Sequence, residues 1–342
     1  MQFAITVDTH VGKWDCIKFA EDLRYDRAWV PDSQMIWSDC YATLALAAVN
    51  TKRIHIGTGV AIPGTRIAPV TAHSIASINE LAPGRVFLGI GTGHTAMRVM
   101  GQDPMSAKQF REYLRVVRTL LDGKAVNYTY DGKEREIEFL HRDRHYINLE
   151  NRIPIYVAAN GPKALEATGA YGDGWVTIGR DPREVAARLE RIKAGAEAVG
   201  KKIGPNFHTS LLTAGCVLKP GEKLTSERVI NETGSWVTCE LHFFYEIWLK
   251  ECKDESLIPP HFANVWERYL DRVKTYSLPE TARFRQIHNG HCTFMQPEER
   301  GFVTPEAIKA TCIVGTPEEI ISQLRDMEKG GIKELNLLPA AD

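Results

Sequence analysis

The sequence predicts an α/β fold, specifically a TIM (β/α)8 barrel with a long insertion after strand 7, and three observations carry that reading. Short apolar runs alternate with helical patterns along most of the chain. The alternation yields eight strands. Several runs end abruptly in glycine, as in Arg85-Val-Phe-Leu-Gly-Ile-Gly-Thr-Gly-His94, and parallel α/β folds hold their ligands at the carboxyl ends of strands. The 342 residues fit one large barrel or two ordinary domains, with a doubly wound sheet as the competing topology.

From the amino terminus the pattern predicts strand 2–7, helix 13–24, strand 27–31, helix 40–50, strand 53–60, helix 69–81, strand 85–90 and helix 106–122. A charged interlude over 122–152 holds a candidate hairpin at Tyr130-Asp131-Gly132. Strand 154–158, helix 162–171, strand 174–178, helix 181–199 and strand 206–217 continue the alternation. Thr316-Pro317-Glu318-Glu319 marks the start of a helix over 317–329, and the eighth strand is Glu334-Leu-Asn-Leu-Leu338. The repeat is broken between 218 and 312, a stretch rich in aromatics and histidines. The expected organisation is therefore a barrel of 1–217 and 313–342 with a helical insertion or lid of 218–312. The last strand is not followed by a closing helix, which leads us to expect a homodimer.

Composition narrows the partners. A formal net charge of -1 gives no electrostatic footprint for nucleic acid or an anionic membrane. No apolar stretch approaches the roughly 20 residues of a membrane span. The segment Met1–Val7 lacks a basic region and reads as a first strand rather than a signal peptide. Seven scattered cysteines without a CxxC pair or zinc-like spacing favour a reducing compartment, so a cytoplasmic protein with no metal is expected.

In a barrel, function gathers at strand ends. Those ends deliver Asp8, Thr9 and His10; Asp32, Ser33, Gln34 and Trp37; Thr58, Gly59, Val60 and Arg66; Gly91, Thr92, Gly93 and His94; Asn160, Gly161 and Lys163; and Thr177, Gly179 and Arg180. The blander readings are that Asp32 caps a turn and His10 is an ordinary loop histidine. Gly89, Gly91 and Gly93 lack the GxGxxG spacing of a dinucleotide fold. At Asn160-Gly161-Pro162-Lys163, proline suits a helix start, and free amides beside a lysine suit phosphate or carboxylate. HExxH, Walker and GxSxG motifs are absent.

The chain resembles the luciferase-like flavin oxidoreductase superfamily, and most closely its methylenetetrahydromethanopterin reductase-like branch. The resemblance is carried by Ala28-Trp-Val-Pro-Asp32, Tyr41-Ala-Thr-Leu-Ala-Leu46, Ile56-Gly-Thr-Gly-Val60 and Arg66-Ile-Ala-Pro69. It continues in Leu81–Gly93, Ile153–Gly161, Gly172-Asp-Gly-Trp175 and Val314–Glu319. It implies FMN or the deazaflavin coenzyme F420 at the barrel's carboxyl-terminal face, with a non-proline cis peptide matching Gly59–Val60. It places Asp32 near the ring's pyrimidine edge, Gly59 and Val60 against the ring, Gly91, Thr92 and Gly93 along the tail, and Gly161, Pro162 and Lys163 at the phosphate, with Thr58, Asn160 and Thr177 as further cofactor-binding candidates. Many relatives carry Asp-His after strand two, whereas this chain has Asp32-Ser33. Trp37 matches a tryptophan near substrate in some relatives, and His10, His288 or His291 are the candidates to handle a proton.

The resemblance implies an oxidoreductase exchanging a hydride between cofactor and a small organic substrate. The alternative is a two-component monooxygenase using O2 and FMNH2 from a partner flavin reductase, and a further alternative is a non-catalytic flavin-binding barrel.

Overall fold

The computed structural model describes residues 1–340. Its strands are β1 (Gln2–Thr6), β2 (Arg27–Val30), β3 (His55–Thr58), β4 (Val86–Gly91), β5 (Val126–Tyr130), β6 (Lys133–Ile137), β7 (Ile155–Ala158), β8 (Gly174–Thr177), β9 (His208–Thr213), β10 (Gly215–Val217), β11 (Ile313–Gly315) and β12 (Glu334–Leu337). The helices are α1 (Asp15–Asp22), α2 (Cys40–Asn50), α3 (Ala68–Leu81), α4 (His94–Arg98), α5 (Ala107–Leu121), α6 (Pro162–Tyr171), α7 (Pro182–Glu197), α8 (Glu227–Lys250), α9 (Trp266–Lys274), α10 (Phe284–Ile287), α11 (Pro305–Thr311) and α12 (Pro317–Lys329). Eight parallel strands close in the order β1-β12-β9-β8-β7-β4-β3-β2. The expected TIM barrel is present, and closure excludes the doubly wound sheet.

Local chemistry explains most boundaries. Asp39 caps α2, Ser106 caps α5 and Asp181 caps α7, each through a side-chain oxygen accepting from a backbone amide of the first turn. The hairpin expected at Tyr130–Gly132 joins β5 to β6 in antiparallel register, with Tyr130 opposite Lys133. Two expectations are corrected. The helix expected from 13 begins at Asp15, because Val11–Lys13 forms a 3-10 turn capped by His10. The strand expected over 206–217 breaks at Ala214, whose carbonyl accepts from Ile313, so β10 pairs with β11 outside the barrel.

The barrel interior is filled by rings. Trp29 and Phe87 lie 4.5 Å apart between centroids, Phe87 and Tyr156 5.3 Å, and Tyr156 and His208 4.6 Å. Glycines on adjoining strands make room for them. A side chain at Gly89 would lie 2.6 Å from the Trp29 ring, and one at Gly174 2.7 Å from Tyr156. At the amino-terminal end of the strands, the buried Glu334 carboxylate gathers Arg27 at 2.7 Å, Ser210 at 2.8 Å, Trp29 at 3.1 Å and His208 at 3.4 Å. Charged groups at that end of a barrel read as stability.

The chain divides into two compact units, of which the first, residues 1–97, 103–211 and 330–336, holds the barrel. The second comprises 98–102, 212–329 and 337–342, a wider set than the expected 218–312 insertion, and residues 341 and 342 lie outside the described residues. It has an aromatic core of its own: Tyr245 packs 5.6 Å from Tyr269, and Trp248 packs 5.6 Å from Trp266. None of the helices among the described residues is long and apolar enough to cross a membrane.

Candidate active site

Strand register brings the predicted barrel residues to neighbouring ends of one rim. Val30 pairs with Thr58, Gly91 with Ala158, and Ala158 with Val176. The segments that follow these residues, from Asp32 round to Thr177, are therefore adjacent. Ligands of such barrels sit on this face.

Asp32 is buried. Its Oδ2 accepts from Arg66 Nη1 at 2.6 Å, and its Oδ1 accepts from the Gln34 amide at 2.5 Å. Burial pushes the Asp32 carboxyl above its usual range while the Arg66 guanidinium pulls the other way. The same burial, together with Asp32, drives the Cys40 thiol far up, so it stays protonated. Arg66 also lies 4.6 Å over the Tyr41 ring, and the buried Tyr41 hydroxyl has no hydrogen-bond partner among the described residues. An orphaned buried donor beside an ion pair fits a polar ligand edge.

On the next strand Thr58 is buried and donates to the Gly89 carbonyl at 2.6 Å. The Gly59–Val60 peptide bond is cis, as the resemblance implied. Gly59 donates to Val30 at 2.7 Å, and Ala61 donates to Gly89 at 2.8 Å and accepts from Gly91 at 3.1 Å. The space at Gly59 is taken by Trp29, 2.7 Å from the position of an added Cβ. Gly91 would meet Val60 at 3.2 Å, while Gly93 has φ +83, a conformation that suits glycine. The Thr92 carbonyl accepts from Met105 at 3.2 Å.

Asn160, Gly161, Pro162 and Lys163 are exposed at the start of α6. Gly161 occupies the N-cap with no side-chain cap, Pro162 takes the first helical position, and a Cβ at Gly161 would meet nothing within 4 Å. The first amides of α6 are thus open to an anion. Lys163 borders a groove of about 620 Å³ shared with Lys108, Arg111 and Glu166. Thr177 is buried, and its hydroxyl already contacts Gly179 at 3.1 Å and Arg188 at 3.4 Å.

The proton-handling candidates are divided between the two units. His10 is exposed on the rim, and its Nδ1 accepts from the Gly12 amide at 3.1 Å. Trp37 is half-buried, its amide donating to Ser33 at 3.0 Å. His288 and His291 belong to the second unit. There His288 Nε2 lies 2.8 Å from Glu246 Oε1, and burial lowers its pKa. His291 lies among the thiols of Cys239 and Cys292. The strand pattern delivers Arg66 to the end of strand three, whereas Tyr41 enters only within a motif; the meeting of both with Asp32 depends on β2 and β3 being neighbours.

The sequence model of the family described as luciferase-like monooxygenase matches residues 13–334, and the chain belongs to that family. Among curated proteins it is 35% identical over 188 residues to a 5,10-methylenetetrahydromethanopterin reductase of Methanolobus tindarius, covering 54% of this chain and 55% of that protein. It is 33% identical over 196 residues to an F420-dependent hydroxymycolic acid dehydrogenase of Mycobacterium tuberculosis, covering 53% and 52%. The chain spans about half the length of the curated relatives it matches. In fold it is similar to the coenzyme F420 dependent tetrahydromethanopterin reductase of Methanopyrus kandleri, with TM-score 0.71 and 20% identity over 98% of this chain and 92% of that one.

Proposed function

We propose that this protein is an oxidoreductase that holds the deazaflavin coenzyme F420 on the barrel rim and exchanges a hydride with a small organic substrate. One observation carries the reading: a continuous rim runs from a buried ion pair, Asp32–Arg66, to an uncapped helix start at Gly161. Such a rim offers a polar edge for a ring at one end and open amides for an anionic tail at the other. The F420-dependent relatives support the choice of a deazaflavin. When bound, that group supplies the two-electron chemistry.

The protein's part is orientation. Arg66 and Gln34 fix both Asp32 oxygens, so the carboxylate keeps one direction toward a ring edge. Gly59–Val60 follows β3 and Gly91–Gly93 ends β4 on the same rim, where a Cβ at Gly91 would meet Val60 at 3.2 Å and one at Gly93 would meet Ile62 at 3.0 Å. At His10, Nδ1 accepts from Gly12, so the neutral ring carries its proton on Nε2. His10 is therefore the rim residue placed to exchange a proton with substrate or solvent.

Titration of the purified protein with oxidised F420 tests the assignment, read by quenching of deazaflavin fluorescence, with FMN titrated in parallel. Saturable binding of F420 in preference to FMN is expected, followed by substrate-dependent change in its absorbance without oxygen uptake. The family description favours a second reading, an FMNH2-dependent monooxygenase. Preference for reduced FMN with oxygen consumption would establish that one instead.

A further inference from the structure

The second unit contains a cluster of its own. Helix α8 presents Cys239, His242 and Glu246, spaced three and four residues apart and therefore on one face. Each meets a residue of the segment 288–299. His242 Nε2 lies 2.8 Å from Glu299 Oε1, Glu246 Oε1 lies 2.8 Å from His288 Nε2, and Cys239 meets His291 and Cys292. The segment is held in place on both sides. Gly234 of α8 leaves room for Met295, whose Sδ lies 2.6 Å from the position of an added Cβ. Gly290, at φ +85, makes the turn before His291, and its carbonyl accepts from Thr293 and Phe294 at 2.9 Å.

We propose that Cys239, His291 and Cys292 form a zinc site, with a solvent molecule as fourth ligand. The three ligand atoms lie within 4.8 Å of one another. Cys239 Sγ and Cys292 Sγ are 3.2 Å apart, and His291 Nε2 lies 3.5 Å from Cys292 Sγ and 3.9 Å from Cys239 Sγ. Tetrahedral zinc with bonds of about 2.3 Å to sulfur and 2.0 Å to nitrogen needs edges of roughly 3.8 Å between sulfurs and 3.5 Å between sulfur and nitrogen. The cluster thus closes onto an ion with shifts of about half an ångström, within reach of side-chain rotation. Two thiols and an imidazole select a borderline-soft cation over calcium or magnesium.

Binding converts both thiols to thiolates and releases their protons. The ion would clip the middle of α8 to the turn that follows α10.

The test uses the full chain, reduced, stripped with chelator and dialysed, then titrated with zinc or cobalt ions. One equivalent of zinc is expected, and cobalt should give a thiolate-to-metal charge-transfer band with the visible spectrum of a tetrahedral centre. Cys239→Ser, His291→Ala and Cys292→Ser should each weaken uptake by more than roughly 100-fold, beyond the range of a merely supporting contact. Cys252→Ser, an exposed cysteine of the same unit, should leave it unchanged. Sub-stoichiometric zinc in the reduced wild-type chain overturns the proposal. So does uptake that survives the three ligand substitutions, or a Cys239–Cys292 disulfide in place of metal. The cobalt spectrum is read on the wild-type protein, so the test holds even where a variant fails to fold.

Discussion

Arg66 Nη1 lies 2.6 Å from Asp32 Oδ2, joining the loop after β3 to the end of β2 across the rim. Asp32 is buried, so the guanidinium compensates a charge that water cannot reach. Removing one partner of such a pair is worth about 3–5 kcal/mol in stability. Arg66→Leu should destabilise the protein on that scale in urea unfolding. The Asp32 carboxyl already stands above its ordinary value, and the folded state therefore holds more protons than the unfolded state in that window. Stability from this group falls as pH rises through the window, and Arg66→Leu should move the fall to higher pH. A pH profile of the urea midpoint identical to that of the wild type would contradict this account.

The opposite sign holds at the other end of the barrel. Burial works against the Glu334 carboxylate, but His208, Arg27 and Ser210 outweigh it and lower its pKa below the ordinary 4.5. The unfolded state binds more protons there, so the stabilisation is present above the ordinary value and is lost as pH falls through the depressed one. Glu334→Gln should flatten the acid side of the stability profile below the ordinary carboxyl value. Glu334→Ala leaves Arg27 without its buried partner, for which about 3–5 kcal/mol is expected at neutral pH. Urea midpoints across this range check both.

The contrast between these two pairs shows what the sequence made legible. Strands and helices are local, so the local pattern, with glycine and proline at the ends of α6 and α12 and Asp39 before α2, located these three helices to the residue and most strands to within a few residues. The rim followed, because strand ends converge in a closed barrel. Pairings were not legible. Glu334 meets Arg27 across 307 residues of chain, and neither residue stands out in a strand pattern. Cys239 and His291 are 52 residues apart, so spacing rules built for nearby ligands pass over them. The break at Ala214 depends on Ile313 arriving from beyond the insertion, a contact no local pattern encodes.

Gly161 offers a test in which stability and binding move in opposite directions. Its φ of -77 suits any residue, and a Cβ there meets nothing within 4 Å. Aspartate at this N-cap would bond the first amides of α6 and complement the helix dipole, adding a few tenths to about 1 kcal/mol. The same carboxylate would occupy the amides proposed for the anionic tail. Gly161→Asp should therefore hold or raise the melting temperature while weakening F420 binding by at least about ten-fold, equivalent to 1.4 kcal/mol. Unaltered F420 affinity in a folded Gly161→Asp protein would place the tail elsewhere.

Gly89 stands in the same type of strand-end sequence as Gly161, yet the two glycines have different physical reasons. A methyl group at Gly89 would fall onto the Thr58 carbonyl oxygen and within 2.6 Å of Trp29 Cζ3, inside a barrel whose rings already touch. Nothing flexible can give way there, because Trp29 is fully buried and its Nε1 is bonded to Glu334. Overpacking of this kind is worth about 1–3 kcal/mol. Gly89→Ala should lower the urea midpoint accordingly and perturb the near-ultraviolet circular dichroism of Trp29. Gly161→Ala, with open space around it, should stay within about 0.5 kcal/mol of wild type. Equal effects of the two alanines on stability would mean that Gly89 faces the rim rather than the packed interior.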